Sequence, residues 1–462
     1  MKRLRMVAMA FALATAPLAA SAESLSDALV SAYRNSGLLD QQRALLRATD
    51  EDLAVAVAAT RPALNYALNA QMTAIRASGV TTTSTSASAT LAASMTLFDF
   101  GRSQLGIDLA NENVLMARDA LVGAEQSVLL RAATAFLNVR SAHETAMLQA
   151  NNVRVLTESK RAAQDRFEVG EITQTDVSLA EAALAGAKSA EASARGQLMI
   201  AREEYLAAVG HYPNGLQVPP RLPMTANSLS AAKALARSHH PDILASQRAV
   251  KVADLAAEIA HRSMLPTASA SASFSAAPAS GATPAGVSGQ LGVSISGPIY
   301  MGGKLSALYR KAKAQAQASR AGLNMAVLGV EQQVASAWAQ LAVAQASLTA
   351  SDQQIRARRV ALRGAREEAS LGARTTLDVL NFEQDLLNAE TSRISAQSQQ
   401  YLAVYNLLAA MGLLTADHLG LGVVAYDPDA YYNAVKNAPV RNVSPQGEKL
   451  DLLLESLGRM EQ

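Results

Sequence analysis

The chain has 462 residues, of which 50% are apolar, only 4% are aromatic and none is cysteine. So few aromatic side chains argue against several ordinary globular cores, and the lack of cysteine excludes disulfides, thiol catalysis and a lipid anchor on an N-terminal cysteine. The formal net charge of +2 implies no nucleic acid or other polyanionic partner.

Residues 1–22 have the pattern of a secretory signal peptide. Three basic residues precede an apolar run from Met6 to Leu18, and Ala20-Ser21-Ala22 matches a cleavage motif. We therefore expect a mature chain that begins near Glu23. No later stretch has 18 consecutive apolar residues, so we expect no transmembrane helix. Such an exported chain is periplasmic, secreted, or inserted in the outer membrane as a β-barrel.

The rest of the chain contains one unit twice, at 23–212 and 228–412, joined by a linker at 213–227. Gly101 to Gly210 aligns with Gly303 to Gly412 at a constant offset of 202 residues and without a gap. Loops tolerate insertions and packed helices do not, so this match indicates rigid helical structure. Residues 413–462 form a C-terminal tail outside the repeat.

Each copy is predicted to begin with a helical arm, Leu25 to about Thr60 and Leu229 to about Ser263, that ends at a proline. Apolar residues then alternate with small polar residues in two segments of each copy. These segments are predicted as strands at 64–76, 88–100, 267–277 and 287–300. One apolar and one polar face is typical of transmembrane β-strands, although Ser/Ala alternation also arises in low-complexity linkers.

A long helix without proline follows in each copy, at 101–168 and 303–370, and then a glycine turn and a return helix at 173–210 and 375–411. In the second copy, apolar residues spaced 4 and 3 apart between Leu323 and Leu348 predict a coiled-coil seam. Four strands cannot close a transmembrane barrel, which takes at least about eight. The sequence therefore predicts an oligomer, and three chains would supply twelve strands.

The two helix turns carry short motifs. They are Arg166-Phe167-Glu168-Val169-Gly170 with Thr175-Asp176-Val177, and Leu371-Gly372-Ala373-Arg374-Thr375 with Leu377-Asp378-Val379-Leu380. Together with the duplication, these motifs resemble the TolC family of outer-membrane channel proteins over nearly the whole mature chain.

The resemblance implies an α+β membrane protein of a defined kind. Its fold is a homotrimer with a 12-stranded outer-membrane β-barrel, four strands per protomer, continued by a long periplasmic α-helical coiled-coil barrel. The barrel contacts outer-membrane lipid. The expected partners are a periplasmic membrane-fusion adaptor protein and an inner-membrane transporter. No cofactor and no metal are expected.

The tail narrows the expected function. Leu419-Gly420-Leu421 and the segment from Tyr426 to Tyr432 resemble family members that serve type I secretion, which an ABC transporter drives. Drug- and metal-efflux relatives commonly carry a lipid-modified cysteine and lack this tail. The leading interpretation is a type I exit duct. The alternatives are the outer-membrane component of a proton-driven multidrug efflux pump and a non-conducting coiled-coil envelope scaffold. We expect no enzyme, because no catalytic set or nucleotide motif stands out.

The resemblance also implies a gate. Asp378 matches a family position whose carboxylate points into the pore, and three copies would form a ring that attracts cations. Family members often have a second Asp one turn later, where this chain has Asn381. The competing interpretation of Asp378 is a first-turn carboxylate on the helix dipole.

A latch and a docking surface are expected at the same turns. Arg374 matches a family arginine that ties neighbouring hairpins together, and its expected partners are Thr175 and Asp176. The alternative is a solvated arginine, and an aromatic latch residue of some relatives is Ala369 here. The expected adaptor contacts are Val169, Gly170, Leu371 and Gly372. The two glycines also suit plain helix C-caps.

Overall fold

The computed structural model describes residues 22–219, 223, 226–279, 285–423 and 426–439. The predicted signal peptide up to residue 21, parts of the predicted linker and the tail at 440–462 lie outside the described residues.

The two copies have the same order of elements. The first consists of α1 (Leu25–Asn35), α2 (Gly37–Ala58), β1 (Ala63–Ala77), β2 (Val80–Phe98), α3 (Arg102–Glu168) and α4 (Gln174–Val209). The second consists of α5 (Leu229–His239), α6 (Pro241–Arg262), β3 (Thr267–Ala277), β4 (Gly286–Ser296), α7 (Lys304–Ser370) and α8 (Thr376–Ala410). The tail adds α9 (Pro428–Val435). Helices α3 and α7 have 67 residues each.

Each predicted helical arm consists of two helices. Ser36 is extended, with φ −81° and ψ 107°, and its hydroxyl accepts a hydrogen bond from the Leu39 amide at 3.3 Å. This side chain competes with the helical hydrogen bonds and starts α2 anew. In the second arm His240 is extended, with φ −68° and ψ 124°, because Pro241 disfavours a helical conformation in the residue before it.

The predicted start of β2 at residue 88 is wrong, since the strand begins at Val80. The Ser/Thr-rich residues before 88 have no apolar alternation and were predicted to lie between the strands. In the structure they pair with β1 as far as Ala77↔Val80. Ser78 and Gly79 form a two-residue turn with φ 51° and 85°, which suits the twist of a β-hairpin. Strand β4 ends at Ser296 rather than at residue 300, just before Gly297 and Pro298.

The four strands form one antiparallel sheet in the order β1-β2-β3-β4. Its register places Tyr66 opposite Leu91, and Leu91 opposite Phe274. Directly opposite residues share a face of the sheet, so the alternating apolar positions of all four strands lie on one side. Thr90, Ser275 and Ser288 lie on the other face, where the Thr90 and Ser275 hydroxyls are 3.0 Å apart.

The apolar face of this sheet is open within the chain. Tyr66 is 81% exposed, Leu291 is 84% exposed and Ile295 is 76% exposed. Large apolar side chains in such a contiguous array are unfavourable in water, and an array of this kind marks a lipid- or protein-contacting surface.

The chain folds into two compact units. Of the residues that the structure describes, the first unit has those up to Leu39, from Ala124 to His240 and from Val330 to residue 423. The second unit has those from Asp40 to Gly123, from Pro241 to Gly329 and from Tyr426 to residue 439. The first unit has fully buried Phe136, Tyr205 and Leu407 in its core. The predicted seam of α7 is buried here at Val330, Val334, Ala337, Leu341 and Ala344.

Helix α9 of the tail, which we call the strap, packs within the second unit. Tyr431 donates to Glu51 at 2.7 Å and Tyr432 donates to Asn111 at 3.1 Å. Asp429 pairs with Arg118 at 2.8 Å. Helix α9 is therefore fixed to α2 and α3 by side-chain hydrogen bonds and an ion pair.

One helix departs from the expectation of no membrane-spanning helix. By length and composition alone, α3 is long and apolar enough to cross a membrane, because an 18-residue stretch of it has a mean hydropathy of 1.2. Of that stretch, 44% is buried within the protein, and the core helix of a soluble protein has the same composition.

Candidate functional site

The candidate site consists of the two turns that join the long helices to the return helices. Gly170 follows α3 and Gly372 follows α7, each with a φ of 78°. The Gly170 amide donates to the Phe167 carbonyl at 2.9 Å, and the Glu171 amide donates to the Arg166 carbonyl at 2.9 Å. In the second copy, the corresponding bonds run from Gly372 to Ala369 at 3.2 Å and from Ala373 to Glu368 at 2.9 Å. A left-handed glycine thus ends both long helices.

The return helices both begin with a capping box. The Asp176 carboxylate accepts bonds from the Thr173 amide at 3.0 Å and the Thr173 hydroxyl at 2.7 Å. The Asp378 carboxylate accepts bonds from the Thr375 amide at 3.1 Å and the Thr375 hydroxyl at 2.8 Å. Each threonine in turn accepts the amide of its aspartate, so the boxes are reciprocal.

These bonds determine the charge of both carboxylates. The Thr173 hydroxyl and amide hold the pKa of Asp176 below its usual value, with smaller contributions from Thr376 and Arg166. The Thr375 hydroxyl and amide likewise lower the pKa of Asp378, and the charge of Arg374 adds to this. Both groups are therefore anionic at neutral pH, as a charged ring at the gate would require.

Within the described part of one chain, Arg374 contacts residues other than Thr175 and Asp176, and its predicted tie to a neighbouring hairpin stays a prediction. Its guanidinium pairs with Glu368 across the turn and lies over the Phe382 ring, 5.4 Å from the centroid. Glu368 raises the pKa of Arg374. The glycine turn folds Glu368 back onto Arg374, and Asp176 is engaged by its own cap.

The other predicted gate and latch residues lie at the same turns. Thr175 and Asn381 are exposed, whereas Asp176 is partly buried. Asp176 is also close enough to Thr376 of the second hairpin to interact with its hydroxyl. This contact brings the two turns of one chain together, although through Thr376 and not through Arg374.

The predicted docking residues are open to solvent. Val169 is 71% exposed and Leu371 is 85% exposed. Gly170 and Gly372 have nothing within 4 Å of the position where a Cβ would stand. Each turn thus presents one apolar side chain beside bare backbone, a surface suited to close contact with another protein.

Sequence reasoning missed three residues of the site: Glu368, Phe382 and Glu171. Glu171 pairs with Arg166 at 3.0 Å in the first turn, as Glu368 does with Arg374 in the second. An acidic and a basic residue five or six positions apart across a glycine is the signal that was available. Among the residues that the structure describes, no group of three or more His, Asp or Glu side chains is placed to hold a metal ion.

Residues 28–211 and 233–413 match the protein family described as outer membrane efflux protein. The two matched segments cover the two copies of the repeat and exclude the strap.

Individual relatives agree with this match. The chain is 36% identical over 421 residues to the outer membrane efflux protein BepC of Brucella suis biovar 1, covering 91% of this chain and 92% of BepC. It is 26% identical over 335 residues to the alkaline protease secretion protein AprF of Pseudomonas aeruginosa, covering 68% of this chain and 67% of AprF. The crystal structure of the CmeC outer membrane channel of Campylobacter jejuni has the same fold, with a TM-score of 0.75 at 13% identity over 91% of both chains.

Proposed function

Because the chain belongs to the outer membrane efflux protein family, we propose that it forms the exit duct of a type I, ABC-transporter-driven protein secretion system. It is an outer-membrane protein with the α+β fold of the family's channels. The proposal assigns no catalysis to the chain. Its proposed partners are a periplasmic membrane-fusion adaptor at the turns and an inner-membrane ABC transporter.

The sheet supports a trimer. Within the described residues, β1 and β4 each pair with a single neighbouring strand, so both outer strands offer free backbone groups. Unpaired backbone groups are costly in lipid, where a sheet must close on itself. Three sheets joined edge to edge make twelve strands, with the apolar faces toward lipid and the Ser/Thr faces toward the lumen.

The observation that carries the type I assignment is the strap. Its sequence resembles the tail of type I members, and α9 is folded against α2 and α3 rather than left as an appendage. The likeness to AprF, which is named for alkaline protease secretion, supports the same assignment.

Multidrug efflux is the second candidate. It is favoured by the likeness to BepC, which is named an efflux protein and is more similar to this chain than AprF is. In that case a proton-driven pump replaces the ABC transporter, and the duct itself is unchanged.

Deleting the gene separates these functions. For a type I duct we expect specific proteins to disappear from the culture medium while drug sensitivity stays unchanged. Raised drug sensitivity with an unchanged secreted proteome would instead assign the chain to efflux. The scaffold alternative is tested by planar-bilayer recording of the purified protein, since a scaffold passes no current.

A further inference from the structure

A cleft in the first copy holds two arginines and a histidine that the proposed export function does not use. It lies between α3, α4 and the linker after α4, and its volume is 280 Å³. Its polar lining comes from Arg140, His143 and Glu144 on α3 and from Arg202 on α4. Arg140 and His143 are three residues apart and therefore share a helix face. The apolar lining includes Val139, Leu198, Leu216 and Val218.

The cleft has more hydrogen-bond donors than acceptors. Arg140 donates through Nε to Glu144 at 2.9 Å, and its Nη1 is buried with no hydrogen-bond partner in the described part of the chain. Arg202 and His143 are exposed and make no ion pair or hydrogen bond with any residue that the structure describes. The one carboxylate of the cleft lining, Glu144, is thus paired with Arg140. Arg202 and His143 have no carboxylate partner in the lining.

The carboxylates next to Arg202 in sequence do not neutralise it. Glu203 accepts a hydrogen bond from the Tyr212 hydroxyl at 3.1 Å. Glu204 accepts one from Arg131 Nε at 2.9 Å. Both are therefore engaged by partners outside the cleft lining.

The second copy provides an internal comparison. At the repeat offset, the positions of the four polar lining residues are occupied by Ala342, Gln345, Ala346 and Val404. The α7–α8 hairpin thus forms without a charged residue at any of these four positions.

We propose that this cleft binds a small organic oxyanion, a carboxylate or phosphate group carried on an apolar body. Guanidinium groups bind such oxyanions with paired, charge-assisted hydrogen bonds, and Arg140 Nη1 and Arg202 supply free donors. His143 adds a further donor, and the apolar walls cover the body of the ligand. The cleft volume is near the lower end of the range of about 300–1,000 Å³ that ligand sites occupy, which suits a compact molecule.

Calorimetric titration of the purified full-length protein tests the proposal. The probes are phenyl phosphate, which has both features, inorganic phosphate, which has the charge alone, and benzyl alcohol, which has the apolar body alone. We expect saturable binding of phenyl phosphate at one site per chain, weaker binding of inorganic phosphate and none of benzyl alcohol. Arg202→Gln and His143→Gln should each weaken phenyl phosphate binding, by about tenfold for the arginine.

Arg161→Gln is the matched control, since Arg161 is an exposed arginine of α3 outside the cleft lining. We expect it to bind phenyl phosphate like the wild type. The proposal is overturned if the wild type shows no saturable binding at millimolar concentrations, or if all three variants lose affinity equally. Because Arg202 and His143 are exposed and make no ion pair with any described residue, their variants should retain the wild-type melting temperature.

Discussion

Asp50 is the residue whose environment opposes its charge most clearly. It is 0% exposed, and neither carboxylate oxygen has a hydrogen-bond partner within the described residues. Burial raises the pKa of Asp50 to about 6, Arg118 opposes the rise, and Glu51 and Asp429 add to it. Asp50 lies close to Asp429 of the strap. Protonation of Asp50 is therefore linked to the folding stability of this part of the second unit.

The pH dependence has a definite sign. The folded chain holds the Asp50 proton more tightly than the unfolded chain, where the pKa is about 3.9. This site therefore favours the folded state most below about pH 4 and loses that contribution as the pH rises through 6. Asp50→Asn should raise the free energy of unfolding by roughly 1–3 kcal/mol at pH 7.5 and by about a third of that amount at pH 4.5, with the melting temperature shifting accordingly.

Asp52→Asn is the control for that measurement, since Asp52 is exposed on the same helix. It should leave the melting temperature unchanged at both pH values. Equal stabilisation of the Asp50 variant at pH 4.5 and 7.5 would show that the buried charge is not the cause.

The latch hypothesis depends on Arg374. In the chain it is held by Glu368 and Phe382, so a tie to a neighbouring subunit would have to compete with these contacts. Arg374→Ala should raise single-channel conductance in planar bilayers, because it removes the cation that holds the turn. Arg166→Ala, the matched change in the first turn, should leave conductance near the wild-type value. Identical conductance in both variants contradicts the latch.

At the scale of elements, the turn glycines are required for their backbone conformation. Gly170 has a φ of 78° with open space around it, and Gly186 lies exposed inside α4, also with open space. The same added methyl group should therefore act in opposite directions. Gly170→Ala should cost about 1 kcal/mol, whereas Gly186→Ala should add about 0.5–1 kcal/mol. Thermal unfolding measures both, and a stabilising Gly170→Ala would rule out the left-handed requirement.

The docking hypothesis needs a bulkier change. Gly170→Leu and Gly372→Leu should abolish export while the trimer still assembles, since the added side chain fills the surface that the adaptor would approach. Normal export by both variants would place the adaptor contact elsewhere.

The α7–α8 hairpin has more ion pairs between its helices than the α3–α4 hairpin, where the described residues form two, Arg131–Glu204 at 2.9 Å and Lys160–Glu181 at 2.8 Å. Helices α7 and α8 are joined by four ion pairs with distances of 2.5–2.8 Å, namely Arg358–Asp385, Arg359–Glu390, Arg366–Glu383 and Arg393–Asp352. At the repeat offset, the first of these pairs corresponds to Leu156 and Ala183, which belong to an apolar cluster of the first hairpin. The duplicated helices thus kept their shape while their contacts diverged.

Salt should therefore loosen one hairpin more than the other. At 1 M salt the Debye length falls to about 3 Å, so exposed ion pairs lose most of their attraction, whereas apolar contacts do not weaken. Amide hydrogen exchange at 1 M against 0.1 M salt should accelerate more at 352–393 than at 150–191. An equal change in both hairpins would show that the four pairs contribute nothing measurable.

The whole molecule depends on the two faces of its sheet. Leu291 lies on the apolar face, and Ser271 of the adjacent strand lies on the polar face. Leu291→Arg should prevent insertion in the outer membrane, because a lipid-facing arginine costs about 2–4 kcal/mol near the bilayer centre. Ser271→Arg should insert normally and reduce conductance. Surface labelling and bilayer recording measure the two outcomes, and the opposite result would invert the assignment of the faces.

Much of this architecture was predictable because it rests on local rules. The period of two in the strands, the glycine turns and the Thr-Asp caps are each determined by residues a few positions apart. The start of β2 was missed because its Ser/Thr residues show no apolar alternation, and only pairing with β1 identifies them as strand. The pairing of Arg374 with Glu368 was missed because it depends on how the glycine turn folds the chain back, which the motif alone does not show.

The duplication affects how the wall of a channel built from this chain can evolve. Three chains with two hairpins each would contribute six hairpins to the channel wall. A single substitution in the gene would change every second hairpin. The cleft with Arg140 and Arg202 would then occur at every second hairpin around the circumference. The duplication therefore allows one set of hairpins to acquire new side chains while the other set keeps the packing that closes the wall.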